Sequence, residues 1–155
     1  MLKRHIVDLA NKVAGHSKCI KLHVGCVIFN KETGEVYSTG YNRSLSGCPE
    51  CKDFDIKDHH DIHIRYELHA EWIALIQFLR LYSTGTIFID QVAAYVTVEP
   101  CETCIKLLIE AGIKTIYYGI GYRATFNMYK DLVEGGQIGE GIPSKGPDEI
   151  CELLD

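Results

Sequence analysis

A chain of 155 residues is long enough for one ordinary domain with a continuous core. Its residues are 46% apolar and 24% charged, which excludes a disordered chain, and no segment approaches the ~20 apolar residues of a membrane helix. The formal net charge of −5 argues against nucleic acid as a partner, because a phosphate backbone would not be attracted over long range.

The cysteine content indicates metal binding rather than disulfides. Seven cysteines make an odd number, and the chain starts without the apolar segment of a secretory signal. Four of the cysteines form the C-x-x-C pairs Cys48/Cys51 and Cys101/Cys104, a spacing typical of metal ligands. We therefore expect a soluble, cytoplasmic protein with one domain over residues 1–155.

The first half of the chain is predicted to contain a helix and a β-hairpin. Apolar residues at helical spacing predict an amphipathic helix over residues 2–14. Branched and apolar runs at 23–29 and 35–41 flank a turn-like stretch, which predicts two paired strands. Residues 42–64 are polar and predict a long loop, and long loops in compact domains are often functional or held by a metal.

The second half alternates helices with strands. The pattern predicts a helix over 67–82, a strand over 93–98, and a helix over 101–111 that ends at Gly112. A strand over 114–120, a helix over 122–134 and an irregular glycine-rich tail from about 135 follow. This alternation predicts parallel pairing, with helices on both faces of one mixed sheet, and therefore an α/β fold.

Two short motifs at predicted helix starts have the composition of a catalytic zinc site. His69-Ala70-Glu71 begins one helix, and Cys101 and Cys104 begin another after Pro100. Cysteines three apart lie on one helical face, and a first turn favours thiolates through its unpaired N–H groups. Two thiolates and the His69 imidazole make three ligands and leave a fourth position for water, the pattern of catalytic rather than structural zinc. Glu71 is then expected to shuttle a proton from that water to the substrate.

A structural zinc module built from both C-x-x-C pairs is the alternative from a different class of protein. The distance along the chain from Cys51 to Cys101 exceeds the roughly 15–20 residues of a zinc ribbon. That alternative also leaves His69 and Glu71 without a role. The catalytic interpretation is therefore favoured.

The H-x-E and P-C-x-x-C motifs form the pattern of zinc deaminases. Together with the sequences at 24–28, 39–42, 95–101 and 110–114, they make the chain resemble the deoxycytidylate (dCMP) deaminases of the cytidine deaminase superfamily over residues 2–122. The resemblance implies a three-layer α/β/α sandwich around a mixed sheet of about five strands. It further implies zinc-dependent hydrolysis of dCMP to dUMP and ammonia, which supplies thymidylate synthesis, and a homo-oligomer such as a hexamer.

The resemblance also suggests residues that bind the substrate. Asn42 is expected to contact the sugar and the pyrimidine, Tyr122 to pack near the nucleotide, and the backbone at Ala70 to recognise the base edge. Two positions depart from the family, which usually has Gly and Asn where this chain has Arg43 and Ile73. The Arg43 guanidinium is either a phosphate ligand or a solvated loop charge. These departures leave the exact base and sugar open.

A second metal site is expected in the polar loop. Candidate ligands there are Cys48, Cys51, His59, His60, His63 and Glu67. Several relatives carry a structural zinc in this region, and matching by spacing selects Cys19, Cys51, His59 and Glu67. The alternative is a hydrophilic loop with scattered histidines. The resemblance thus implies one catalytic and one structural zinc ion.

Two rival functions stay open at this point. One is deamination of another cytosine or purine compound, free or within a nucleic acid. The other is a catalytically inactive assembly protein held together by zinc, against which the intact Glu71 argues.

Overall fold

A computed structural model of the chain describes residues 2–19, 22–49, 66–121 and 125–138. Helices and strands alternate along the second half, as predicted, and the α/β class is confirmed. A 3₁₀ turn covers Ile89–Gln91. The elements in chain order are α1 (Arg4–Ala14), β1 (Gly25–Asn30), β2 (Val36–Tyr41), β3 (Arg43–Ser44), β4 (Glu67–Leu68), α2 (Ala70–Tyr82), β5 (Val92–Val98), α3 (Glu102–Glu110), β6 (Thr115–Ile120), α4 (Thr125–Met128) and β7 (Glu134–Gln137).

The main sheet has five strands in the order β2-β1-β5-β6-β7. Strand β1 pairs antiparallel with β2 and with β5, so the predicted hairpin is confirmed. Strands β5, β6 and β7 are parallel to one another, which confirms the predicted parallel pairing of the second half. Strands β3 and β4 form a separate two-stranded ladder.

Helices cover the sheet on both faces, as predicted. All residues of the central strands β1 and β5 are buried, which is the pattern of strands covered on both sides. Alternate residues of β1 point to opposite faces. Val27 and Phe29 pack in one cluster with Ile6 and Ala10 of α1, whereas Cys26 and Ile28 lie in the other cluster with residues of α2 and α3. This confirms the three-layer sandwich.

A glycine in β2 sets how closely α2 approaches the sheet. A Cβ atom at Gly40 would collide with the carbonyl oxygen of Ala70 and the backbone nitrogen of Ala74. The Ser38 hydroxyl in the same strand donates to the Ala74 carbonyl at 2.7 Å. Glycine at position 40 therefore lets the first turn of α2 lie directly on the strand.

The start of α2 differs from the prediction of a helix over 67–82. Glu67 and Leu68 form β4, and the helix begins only at Ala70. The physical reason is the ladder with β3, in which Arg43 pairs with Leu68 and Ser44 with Glu67. Strand β3 also lies within the predicted loop 42–64, of which residues 50–64 fall outside the described part of the chain.

The predicted helix over 122–134 was wrong in length, and the tail predicted to be irregular from 135 begins as a strand. Helix α4 covers only Thr125–Met128, and β7 follows at Glu134–Gln137. The chain turns between them because β7 pairs in parallel with the edge of β6. Residues 139–155 lie outside the described part of the chain. None of the helices in the described part has the length and apolar character that a transmembrane helix requires.

Candidate active site

The first residues of two helices meet at the candidate site. His69 immediately precedes α2 and Cys101 immediately precedes α3, and both have extended backbone conformations. Cys104 is the third residue of α3 and is completely buried. Helices α2 and α3 pack against each other, so their N-termini bring these three side chains together.

The three donor atoms have the spacing of a tetrahedral metal site. His69 Nδ1 lies 3.3 Å from Cys104 Sγ and 3.7 Å from Cys101 Sγ, and the two sulfur atoms are 3.3 Å apart. A tetrahedral zinc ion would place two sulfurs about 3.8 Å apart and a sulfur and a nitrogen about 3.6 Å apart. The observed distances agree to within about 0.5 Å, and the His/Cys/Cys set fits zinc with one coordination position left open.

The two thiols differ strongly in acidity. The hydrogen bond with Cys104 lowers the pKa of Cys101 to about 3, and the interaction with His69 adds to this against the effect of burial. The hydrogen bond with Cys101 and burial raise the pKa of Cys104. A divalent cation between the two sulfurs would allow both to ionise.

The carboxyl group of Glu71 lies buried beside these ligands. Glu71 is the second residue of α2, and only 4% of it is exposed. Burial raises the pKa of this carboxyl, partly opposed by the charge of His69, and its side chain hydrogen-bonds with Cys104. A buried carboxyl with a raised pKa can both accept and donate a proton near neutral pH.

A tryptophan that the sequence analysis did not single out lies against His69. The rings of His69 and Trp72 are stacked, with centroids 4.4 Å apart and an angle of 10° between their planes. Burial lowers the pKa of the imidazole, but the hydrogen bond to Cys101 and the charge of Glu71 outweigh it and raise the pKa. The three-residue spacing between His69 and Trp72 on a predicted helix start is the signal that could have revealed the contact.

Asn42, predicted to contact the substrate, is buried in a hydrogen-bond network of the protein itself. Its Oδ1 accepts the backbone N–H of Val24 at 2.9 Å. Its Nδ2 donates to the Leu22 carbonyl at 2.8 Å and to Glu67 Oε1 at 2.9 Å. Both amide hydrogens are thus engaged, and the side chain joins the segment before β1 to the segment before α2.

The other predicted substrate residues lie around the start of α2 where they are described. Arg43 is half-buried in β3 and pairs with Leu68, the residue before His69. Its guanidinium donates to the carbonyl of Ser44 at 3.1 Å. Ala70 is fully buried as the first residue of α2, whose first N–H groups have no partner within the helix. Tyr122 lies outside the described residues.

Two of the four predicted ligands of a second metal are described, and they belong to one polar network. The Ser17 hydroxyl accepts the backbone N–H of Cys19 and donates to the Asn42 carbonyl. The Asn42 side chain donates in turn to Glu67. Cys51 and His59 lie outside the described residues, as do the alternative ligands His60 and His63.

Comparisons with known proteins agree with this geometry. The family model for the cytidine and deoxycytidylate deaminase zinc-binding region matches residues 2–120. The deoxycytidylate deaminase of Saccharomyces cerevisiae is 32% identical over 142 residues, which are 85% of this chain and 42% of that protein. ComE operon protein 2 of Bacillus subtilis is 34% identical over 147 residues, which are 95% of this chain and 72% of that protein.

A solved structure is also similar. The dCMP deaminase of cyanophage S-TIM5, in complex with dCMP and dUMP, matches with a TM-score of 0.69 and 26% identity. The match covers 89% of this chain and 100% of that one, whereas the chain spans less than half the length of the yeast relative. The motifs, the metal-ligand geometry and these similarities place the chain in the cytidine and deoxycytidylate deaminase family of zinc-dependent hydrolases.

Proposed function

We propose that the protein hydrolyses dCMP to dUMP and ammonia and so supplies thymidylate synthesis. The observation that carries the proposal is the cluster of His69, Cys101 and Cys104 with the buried carboxyl of Glu71 beside it. Deoxycytidylate deaminase is the name of the yeast relative, and the similar cyanophage enzyme was solved with dCMP and dUMP. An assembly protein without activity would not require a buried carboxyl group next to an open metal position.

Each residue of the cluster has a distinct role in this proposal. His69, Cys101 and Cys104 hold the zinc ion, which supplies Lewis-acid activation of a water molecule when it is bound. Glu71 would take one proton from the water molecule and deliver it to the ring nitrogen of the base. It would then pass the second proton of that water to the amino group, which leaves as ammonia. The burial of Glu71 keeps its exchangeable proton at the site rather than in bulk water.

Four further residues are proposed to bind the nucleotide. The guanidinium of Arg43 binds the phosphate, and the backbone at Ala70 binds the base edge. Asn42 and Tyr122 complete the sugar and base contacts. Because Asn42 Nδ2 is engaged with Leu22 and Glu67, a direct contact would use the second lone pair of Oδ1.

Release of ammonia from a series of cytosine compounds tests the function. We expect kcat/KM for dCMP to exceed that for deoxycytidine at least about tenfold, because phosphate binding is used to position the base. Arg43→Ala should reduce this ratio, whereas Arg80→Ala, an exposed cation at the far end of α2, should not. Equal kcat/KM values for the two compounds would contradict a nucleotide substrate. Turnover of another cytosine or purine compound alone would replace dCMP in the proposal.

A structural zinc ion, an oligomer and a cytoplasmic location complete the proposal. Cys19, Cys51, His59 and Glu67 are proposed to hold the second zinc, and the network that joins Cys19 to Glu67 supports this set. The resemblance to the family predicts a homo-oligomer such as a hexamer, and sedimentation of the purified protein would test this prediction. Cell fractionation would test the cytoplasmic location.

A further inference from the structure

Trp72 contacts the metal ligand His69 but has no role in the proposed chemistry. It is the third residue of α2 and the single tryptophan of the chain. Its indole lies parallel to the His69 imidazole, with a centroid distance of 4.4 Å and an interplanar angle of 10°. That geometry is a nearly parallel stack of the two rings.

The imidazole needs such a restraint because its own torsion does not supply one. The χ2 angle of histidine has broad, roughly two-fold minima, so an unrestrained ring can tilt Nδ1 away from its ligand position. In the structure, Nδ1 faces both sulfurs, at 3.3 and 3.7 Å. Rotation of the ring about χ2 would drive its edge into the indole plane.

The burial of the indole nitrogen indicates that Trp72 is fixed in place. Among the residues that the structure describes, Trp72 Nε1 is buried and makes no hydrogen bond. A buried donor without a partner is unfavourable and rare in native proteins, and it calls for an explanation. A rotamer that exposes Nε1 would avoid this cost, and the stacking on His69 explains why this partly buried side chain keeps Nε1 inside.

We propose that Trp72 is a positioning residue that holds the plane of the His69 imidazole in which Nδ1 reaches Cys101 and Cys104, and so raises the zinc affinity of the site. The indole face also favours the positive charge that the imidazole gains when it binds a cation. The inference rests on the proposed function only in that His69 is a zinc ligand. Groups that orient a metal-binding histidine typically contribute roughly 10–100-fold to metal affinity.

Three variants distinguish the effect of aromatic stacking on zinc binding from the effects of side-chain volume and of overall protein stability. Trp72→Leu keeps apolar volume but removes the aromatic face, and Trp72→Phe restores a smaller face. Tyr82→Leu is the matched control, because Tyr82 stacks on Phe78 in the same helix but far from the cluster. Zinc retained per chain is measured against a graded chelator, and Cys104→Ser gives the number of ions bound elsewhere in the protein.

We expect the zinc affinity of Trp72→Leu to be roughly 10–100-fold lower than that of the wild type. Trp72→Phe should recover most of this affinity, and Tyr82→Leu should have the affinity of the wild type. The unfolding temperatures of the metal-free proteins should not follow this order. Wild-type affinity in Trp72→Leu, or an equal loss in Tyr82→Leu, would overturn the proposal.

The wild-type protein provides a test that does not depend on any variant of Trp72. Because there is one tryptophan, its emission reports on the ring next to His69. Zinc added to stripped protein should change the emission saturably, and Cys104→Ser should abolish the change. Zinc binding with constant emission would overturn the inference, whereas an emission change without ammonia release would overturn the proposed function alone.

Discussion

Glu71 and Glu102 show that the position of an acidic residue in a helix does not by itself determine its role. Glu71 and Glu102 both lie in a first helical turn, where a carboxylate is favoured by the helix dipole. Glu102 is exposed, whereas Glu71 is 4% exposed and lies among metal-ligand side chains. The dipole explains an exposed acid, whereas burial of a carboxylate is unfavourable unless the group is paired or hydrogen-bonded, and buried acids with a raised pKa are frequent at functional sites.

Replacing Glu71 by glutamine removes the proton carrier and keeps the shape of the side chain. We expect Glu71→Gln to keep its zinc and its unfolding temperature and to lose roughly 10²–10⁴-fold in kcat, because proton transfer in the transition state is removed. Metal analysis, thermal unfolding and ammonia release measure the three properties. Glu110→Gln, an exposed acid at the end of α3, is the control and should behave like the wild type. Near-normal turnover in Glu71→Gln would remove Glu71 from the mechanism.

The site residues that could be predicted from the sequence are those that belong to short motifs with a characteristic spacing. His69, Cys101 and Cys104 stand at helix starts, where sequence position and distance in space are closely linked. The hydrogen bonds of Asn42 could not be predicted, because its partners Leu22 and Glu67 are 20 and 25 residues away. Contacts of this kind depend on the tertiary fold rather than on local pattern.

Among the secondary-structure elements, α4 has a connection to the site that its four residues alone would not suggest. Glu99, which is 3% exposed, accepts the backbone N–H of Phe126 at 2.9 Å. The Tyr129 hydroxyl just after α4 donates to Glu102 at 2.8 Å. The segment 99–102, which contains Cys101, is therefore bonded to the α4 region on both sides of that cysteine.

Of these two hydrogen bonds, the partly buried one between Phe126 N–H and Glu99 should contribute more to the free energy of unfolding than the exposed one between Tyr129 and Glu102. Glu99→Ala leaves the Phe126 N–H without its acceptor, and we expect it to lower the free energy of unfolding by about 1–3 kcal/mol. Glu99→Gln, which keeps an acceptor oxygen, should cost less, and Tyr129→Phe, at an exposed hydroxyl, should change little. Urea unfolding of the three variants measures the order. A larger loss in Tyr129→Phe than in Glu99→Ala would refute it.

Strand β7 is the element that sequence patterns could not reveal. Its residues, Glu134–Gln137, contain two glycines and no apolar alternation, and such a sequence indicates a loop. Gly135 has a φ of 104°, and a Cβ atom there would collide with the Ile116 carbonyl oxygen. The strand forms because the free edge of β6 offers it a parallel partner, which is a property of the assembled sheet.

At the scale of the whole molecule, the described core and the candidate site depend on the same packing. Strand β1 separates a cluster that contains α1 from one that contains α2 and α3, and the metal-ligand side chains lie at the start of the latter two helices. The segment before β1 places Leu22 in a small apolar cluster with Val98, and it is also joined to the residues just before α2. Their link is the polar network through Ser17 and Asn42 that joins Cys19 to Glu67.

A second zinc ion would strengthen that polar link, and the zinc content of the whole chain tests for it. Fixing each loop residue costs about 1–2 kcal/mol of backbone entropy, which a polar loop does not recover by apolar burial. Closed coordination by Cys19, Cys51, His59 and Glu67 would supply the missing stabilisation and position the start of α2. We therefore expect close to two zinc ions per chain in protein purified without chelator.

Substitution of one cysteine of the polar loop then separates the structural ion from the catalytic one. Cys51→Ser should retain one zinc ion and unfold at a lower temperature, because the ligands that tie the loop to α2 are reduced to three. Cys48→Ser, three residues earlier, is the matched control and should keep both ions. The reverse result would exchange the roles of the two cysteines. One zinc ion in the wild type, unchanged in Cys51→Ser, would leave Cys19 and Glu67 as members of a hydrogen-bond network without a metal.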